Sequence, residues 1–387
     1  MTRQALMRVA LGAALALALG ACAPGDYFDK WFGPGPAMKP AELINFKPSA
    51  TAKILWRGSV GGSERYVFTP FVDGGTVYAA GASGQIERFD AASGKVLGRI
   101  DAKTALAGGI GGNRNLLLAG TTKGEVLALD AGGKVLWKTQ LTSDVLSAPQ
   151  TDQGVVVVRT GDGRIFGLDA ANGSRKWAYQ RTLPPLTVRT FIGIVLERGG
   201  VFAGFPGGRL VAISLGNGNV GWEATVALPK GATELERMAD ISSLPVIDGA
   251  QICAVAYQGR VGCFDLLKGS PNWTRDSSSI SGLTVDDRNV YVTDDKSAVV
   301  AFEKRAGASL WKQDKLYGRY ASAPVAIGRF VAVGDYQGYV HFLSREDGSF
   351  VARVATDGSP IIAPPLSLGH GILVQTRNGG VYAIGIQ

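Results

Sequence analysis

The stretch GEVLALDAGGKVLW, residues 124–137, decides the fold, because variants of it recur along almost the whole chain. Further copies start at Gly163, Gly208, Gly259 and Ser297, and weaker ones at Gly84, Gly338 and Gly379. In each full copy a short apolar run ends at an Asp-like position, and a Gly and then a Trp follow. Apolar runs separated by Asp- and Gly-containing turns predict β-hairpins.

The repeat has the length of a propeller blade. Its Asp-like positions are 90, 130, 169, 214, 265, 303, 344 and 385, with intervals of 40, 39, 45, 51, 38, 41 and 41 residues. An apolar run such as Val155–Val158 precedes each hairpin, and in five units a proline lies further upstream: Pro70, Pro149, Pro245, Pro324 and Pro364. Four short antiparallel strands at a period of about 42 residues are typical of a β-propeller blade.

The two ends of the chain complete each other. The eighth unit stops at Gln387 before its fourth strand, whereas residues 52–56 (AKILW) look like a fourth strand with no hairpin before it. Pairing the two would remove the open edges. We therefore predict an all-β fold, one eight-bladed β-propeller of four-stranded antiparallel blades over residues 51–387, closed by its N- and C-terminal strands. A seven-bladed ring with a stray strand is the alternative.

The tryptophans are predicted to pack between neighbouring blades. Six of the seven, counting Trp56, occupy the slot at the end of the repeat, where a large apolar residue can fill the space between two sheets.

The N-terminus predicts export and lipid attachment. Residues 1–21 combine a short basic start with an apolar run too short to span a bilayer, which is typical of a signal peptide. The run ends in LGAC, which resembles a bacterial lipobox with Cys22 as the lipidated residue; an ordinary signal with a chance cysteine is the alternative. Several acyl chains would anchor the protein stably. Residues 22–50 are rich in Pro and Gly and are predicted to form an extended linker.

Charge and polar side chains exclude several classes of function. The net charge is +8, or +6 without the two arginines of the signal, and no basic run is long enough to indicate nucleic-acid binding. The two histidines, His341 and His370, are far apart, so neither a His-based metal site nor a His-dependent triad is predicted. Cys253 and Cys263 flank a turn on adjacent strands; a disulfide and two free thiols both remain possible in an oxidising compartment.

The repeat resembles the PQQ-type propeller motif A-L-D-x-x-x-G-x-x-x-W, which quinoprotein dehydrogenases share with BamB lipoproteins of the outer-membrane β-barrel assembly machinery. The lipobox, the length and the eight units match the BamB family, as do the stretches at 186–189 (LTVR), 239–240 (AD) and 333–341 (VGDYQGYVH). This resemblance covers the whole mature chain. It implies a non-catalytic scaffold without cofactor or metal, anchored in the outer membrane and facing the periplasm. Such a scaffold binds the POTRA domains of BamA and assists the folding and insertion of outer-membrane proteins, with direct binding of unfolded clients as a further option.

The long intervals, 45 and 51, indicate where function lies. Both extra segments fall in connections between consecutive blades, and insertions on one face of a repeat fold often form its binding surface. By resemblance to BamB, the partner-binding residues are Leu186, Val188, Arg189 and Asp240. Ser242 stands where the family usually has a second acid. The alternative is that Leu186 and Val188 pack the insertion and that Arg189 pairs with Asp240 internally.

A quinoprotein-like, PQQ-dependent periplasmic dehydrogenase is the alternative function. Such enzymes resemble this chain in their repeat, but they add long loops, calcium ligands and commonly an adjacent cysteine pair. The present repeats are near minimal and contain no Cys-Cys pair, so the sequence offers no candidate cofactor site.

Overall fold

The computed structural model describes residues 39–188, 191–369 and 371–387. Within them the regular secondary structure is entirely β, with 32 strands in eight four-stranded antiparallel sheets. The sheets follow one another around a ring as the blades of a propeller, which confirms the predicted fold and blade number.

The blades are numbered in chain order, and each name below is followed by its strands from the innermost outward. Blade 1 holds β2 (Phe71–Asp73), β3 (Thr76–Ala80), β4 (Gln85–Asp90) and β5 (Val96–Asp101); blade 2 holds β6 (Gly111–Asn113), β7 (Leu116–Gly120), β8 (Glu125–Leu129) and β9 (Val135–Gln140). Blade 3 holds β10 (Gln150–Asp152), β11 (Val155–Arg159), β12 (Ile165–Asp169) and β13 (Arg175–Tyr179); blade 4 holds β14 (Val195–Glu197), β15 (Gly200–Phe205), β16 (Arg209–Ser214) and β17 (Val220–Thr225). Blade 5 holds β18 (Val246–Asp248), β19 (Gln251–Val255), β20 (Arg260–Asp265) and β21 (Pro271–Asp276); blade 6 holds β22 (Gly282–Val285), β23 (Asn289–Thr293), β24 (Val299–Glu303) and β25 (Ser309–Gln313). Blade 7 holds β26 (Val325–Ile327), β27 (Phe330–Gly334), β28 (Tyr339–Ser344) and β29 (Phe350–Ala355); blade 8 holds β30 (Leu366–Leu368), β31 (Gly371–Gln375), β32 (Gly380–Ile386) and β1 (Ala52–Ser59).

The repeat motif builds the outer hairpin of each blade. In blade 2 the Asp130 carboxylate accepts the backbone N–H groups of Gly132 and Lys134, both at 2.9 Å, and so fixes the turn. Gly133 has a φ of +90°, a conformation that side chains other than glycine rarely adopt. The middle strands of the blades are buried on both faces, which explains their continuous apolar runs.

The tryptophans join each blade to the next. The indole N–H of Trp137 donates to the carbonyl of Ala170 in blade 3 at 2.9 Å, and its ring lies on Gly173, where a Cβ atom would approach Trp137 Cε3 to 2.5 Å. The same bond, to the residue after the Asp-like position of the next blade, is made by Trp56, Trp137, Trp177, Trp222, Trp273 and Trp311. The predicted packing of tryptophan between blades is confirmed.

An arginine replaces the tryptophan between blades 1 and 2. Blade 1 has Gly98 in the tryptophan slot, and Arg88, its partner across the β4–β5 pair, lies over it. The Arg88 guanidinium donates to the carbonyl of Ala131 at 2.7 Å, the position that the indole reaches elsewhere. The bond between blades is therefore kept by a different residue on a different strand.

Ring closure is confirmed. Strand β1 pairs antiparallel with β32, from Ala52 opposite Ile386 to Ser59 opposite Gly380. Thr51 and Gln387 exchange both backbone hydrogen bonds at 3.0 Å. The last blade therefore combines the first strand of the propeller with its last three.

Cys253 and Cys263 form a disulfide. They lie directly opposite each other in β19 and β20, and both are fully buried. The sequence did not determine whether the two cysteines lie opposite each other. The register of β19 and β20 places them so, and they form a disulfide instead of remaining free thiols.

Candidate partner-binding face

Both insertions lie at the same end of the ring. The first runs from β13 to β14 (residues 180–194) and the second from β17 to β18 (residues 226–245), as predicted. At this end each blade also carries the turn between its second and third strands, because the connection to the next blade leaves from the end where that turn lies. The backbone N–H of Tyr257, in such a turn of blade 5, donates to the Asp240 carbonyl at 2.8 Å. We call this end the insertion face.

Asp240 links the two insertions from within. Its side chain is only 2% exposed. Its carboxylate accepts the backbone N–H of Val188 in the first insertion at 2.7 Å and that of Gly207 in blade 4 at 3.0 Å. Bonds from backbone N–H groups to a carboxylate are charge-assisted and strong. Asp240 therefore holds the backbone of the first insertion rather than presenting its charge to solvent.

Ser242 is also buried. It is 8% exposed, and its hydroxyl donates to the carbonyl of Ser279 in the connection from blade 5 to blade 6 at 3.3 Å. Where the family usually has a second acidic residue, this chain therefore has Ser242, whose side chain joins two of the connections between blades.

The apolar residues of the first insertion are less buried than the acid beneath them. Leu186 is 39% exposed, and Val188 is half-buried. Arg189, the fourth predicted contact residue, lies outside the described residues. The structure thus brings Val188 and Asp240 together through one backbone hydrogen bond, and Leu186 lies two residues before Val188 on the same insertion.

The second insertion begins with a capped turn. The Glu236 carboxylate accepts the N–H groups of Ala232 and Thr233, and the Thr233 hydroxyl accepts the N–H of Glu236 at 3.2 Å, which are the reciprocal bonds of a capping box. These bonds lower the pKa of Glu236. The segment continues as hydrogen-bonded turns and not as a helix, because only Arg237 makes the helical bond back to the Thr233 carbonyl. Leu235, at 62% exposure, projects from this turn.

A cavity of about 320 Å³ lies between the first insertion and blade 3. Arg159 lines it, although it is only 9% exposed. The guanidinium donates to the Gly204 carbonyl at 2.7 Å and stacks 4.8 Å from the centre of the Phe205 ring. Burial lowers the Arg159 pKa to about 10, so the group stays charged at neutral pH. The repeat pattern places Arg159 at the end of β11 but gives no signal of its burial, so sequence reasoning missed it.

The first insertion also crosses the centre of the ring. Phe191 packs edge-to-face on Tyr66, with 6.4 Å between ring centroids. Tyr66 belongs to the connection between blades 8 and 1, three blades away from the insertion. The contact therefore crosses the central opening on the insertion face and fixes the far end of the insertion.

Metal-ligand clusters and membrane-spanning helices are both absent from the described part of the chain. Within residues 39–188, 191–369 and 371–387, no group of three or more His, Cys, Asp or Glu side chains is arranged to hold a metal ion. The same residues include no helix that is long and apolar enough to cross a membrane.

Comparisons with known proteins identify the family to which the chain belongs. A family model described as outer membrane protein assembly factor BamB matches residues 82–313 and 298–387. BamB of Nitrosomonas eutropha is 46% identical over 348 residues, which cover 90% of this chain and 85% of that protein. The chain belongs to the BamB family. BamB of Bordetella pertussis is 44% identical, over 89% of this chain and 90% of its own length.

Solved structures agree on the fold. BamB from Moraxella catarrhalis has a TM-score of 0.79 at 26% identity, covering 87% of this chain and all of that one. Quinohemoprotein alcohol dehydrogenase from Comamonas testosteroni has a TM-score of 0.69 at 13% identity, which reflects a shared propeller only. The resemblance to the BamB family found in the sequence is confirmed.

Proposed function

We propose that this chain is a non-catalytic scaffold of the outer-membrane β-barrel assembly machinery, which binds the periplasmic POTRA domains of BamA through its insertion face. The observation that carries the proposal is the exposed Leu186 on an insertion that the buried Asp240 fixes from beneath. Its BamB relatives are named as outer membrane protein assembly factors.

The geometry of the face supports a protein partner. Exposed apolar side chains on a rigid support are suited to anchoring a partner, since preorganised contacts lose little entropy on binding. Leu186, Leu228 and Leu235 are 39, 59 and 62% exposed, and all three lie on the two insertions. We infer that Leu186 and Val188 are the central contacts, that Arg189 adds a charged contact, and that Asp240 and Ser242 act from below.

The location follows from the N-terminal signal. We infer that Cys22 carries the lipid and that the propeller faces the periplasm from the outer membrane. The family name of the relatives supports an outer-membrane role. Cys22 itself lies outside the described residues.

Leu186→Asp should weaken binding to the BamA POTRA domains by at least about 30-fold, because a buried apolar anchor at an interface contributes roughly 2 kcal/mol or more. Calorimetric titration of the purified chain with the POTRA domains measures the effect. Arg189→Glu is expected to act in the same direction.

Leu267→Asp is the matched control. Leu267 is 77% exposed, but it lies in the β20–β21 turn at the opposite end of the ring. The same change in charge and apolarity there should leave the affinity unaltered. Equal effects of both variants, or none from Leu186→Asp, would place the interface elsewhere.

A further inference from the structure

The chain before β1 is docked on the propeller. The N–H of Ala41 donates to the carbonyl of Tyr317 at 2.8 Å, in the connection from blade 6 to blade 7. Further along, Phe46 packs on Phe350 of β29, with 5.6 Å between ring centroids. We call residues 41–50 the strap, and they run along the outside of blade 7 as far as Val351, whose carbonyl accepts the N–H of Ser49 at 3.0 Å.

A buried arginine fixes the first residue of the strap. Arg319 is 2% exposed and forms an ion pair with the fully buried Asp335 at 2.7 Å. Its remaining Nη1 donates to the Ala41 carbonyl at 2.9 Å. Since unpartnered donors of a buried guanidinium are costly, the Ala41 carbonyl stabilises Arg319 in this position.

A second arginine fixes the middle of the strap through the same cluster. The Arg353 Nη1 donates to the Ile44 carbonyl at 3.1 Å, and its guanidinium lies 5.0 Å from the centre of the Phe46 ring. Its Nε donates to His341 Nδ1 at 3.2 Å, while His341 Nε2 donates to Asp335 at 2.9 Å. This arrangement fits only a neutral imidazole with its proton on Nε2.

The charges around the imidazole are consistent with this state. Burial, together with the charges of Arg353 and Arg319, lowers the His341 pKa although Asp335 acts against it. The cluster thus directs both arginines at the strap.

The strap begins on the insertion face. Next to Tyr317, the N–H of Gly318 donates to the Lys296 carbonyl in a turn of blade 6, and the N–H of Tyr336, in the corresponding turn of blade 7, donates to the Arg319 carbonyl. Both turns join second and third strands, and these turns define the insertion face. The other end of the strap meets Thr51 beside Gln387, at the opposite end of the ring.

We propose that the buried cluster Arg319–Asp335–His341–Arg353 is a docking site for the strap, and that it makes the N-terminal tether leave the propeller on the insertion face. No partner or membrane is needed for this docking. With the lipid on Cys22, which rests on the proposed function, residues 23–40 would allow at most about 65 Å between that face and the membrane.

Hydrogen exchange of the full-length chain in detergent tests the docking. In the wild type the amides of Ala41 and Ser49 should exchange at least tenfold more slowly than in an unstructured peptide. Phe46→Ser and, separately, Arg353→Gln should accelerate this exchange at least tenfold and leave the protection of β27 unchanged. Asn45→Ser, on an exposed side chain of the same segment, is the control and should have no effect.

The exit point is tested by spin labels at Glu42→Cys and Lys123→Cys, the latter on the insertion face. The wild-type background should give one narrow distance distribution, and Phe46→Ser should broaden it. A broad distribution in the wild-type background, or unprotected strap amides, would overturn the proposal, as would variants without effect. These measurements use the chain alone, so loss of BamA binding or of lipidation would leave their outcome unaffected.

Discussion

The predicted contact residues of the insertion face differ in exposure and in hydrogen bonding. Leu186 is available to a partner, whereas Asp240 uses its carboxylate on the backbone of Val188 and Gly207. Both belong to the predicted contact set, yet their chemistry differs. Because Asp240 is almost fully buried, we expect it to influence binding through the backbone that it holds.

Asp240→Ala tests this supporting role. Removing the carboxylate leaves two backbone N–H groups without their acceptor, which costs about 1–3 kcal/mol each when they are buried. We expect faster hydrogen exchange at residues 183–188 together with weaker POTRA binding. Weaker binding without any change in exchange would instead indicate that Asp240 contacts the partner directly.

At the scale of the element, the hairpin motif has two functions. Its Asp and Gly fix the turn, and its Trp bonds to the next blade. At the junction between blades 1 and 2, where the tryptophan is missing, Arg88 reaches the equivalent carbonyl. A long guanidinium can span the same gap from the neighbouring strand.

Trp137→Phe separates the hydrogen bond from the packing. Loss of the indole N–H leaves the Ala170 carbonyl without that donor and should lower the free energy of unfolding by about 1 kcal/mol, whereas Trp137→Ala should cost about 3–5 kcal/mol. Urea denaturation measures both. Leu136→Ala, on a neighbouring side chain that is 49% exposed, should change stability little. Equal losses for the Phe and Ala variants would show that the bond, and not the ring volume, dominates.

On the scale of the whole molecule, ring closure depends on blade 8, which combines the first strand of the propeller with its last three. Strand β1 completes blade 8, so opening the ring requires breaking a strand pair in addition to separating two blades. The Cys253–Cys263 disulfide acts within blade 5 and does not contribute to closure.

Circular permutation tests how much this closure contributes to the stability of the propeller. Gln387 can be linked to Thr51 by a short Gly-Ser linker, because these residues already exchange hydrogen bonds. A permutant opened between Lys230 and Gly231 has its ends between two blades, whereas one opened between Leu267 and Lys268 again builds a blade from both ends. Both lack residues 1–50. The first should unfold at a lower urea concentration and with less cooperativity; equal midpoints would mean that packing between blades is sufficient.

The repeat by itself determined the blade count, the closure and the place of both insertions. These features depend on a period that each unit carries in its own residues, so they can be read locally. The turn residues and the tryptophan slot are fixed for the same reason. Leu186 and Val188 were found through the resemblance to a family, and their contact with a partner stays a prediction.

Only the tertiary structure decided which side chains are buried at positions that depart from the regular repeat. Asp240 turns inward, Arg88 takes the place of a tryptophan, Phe191 reaches Tyr66 across the ring, and the strap docks on Arg319 and Arg353. Each of these contacts joins residues that are far apart in the chain or on different strands. Their pairing depends on the distance between elements after folding, which no local pattern encodes.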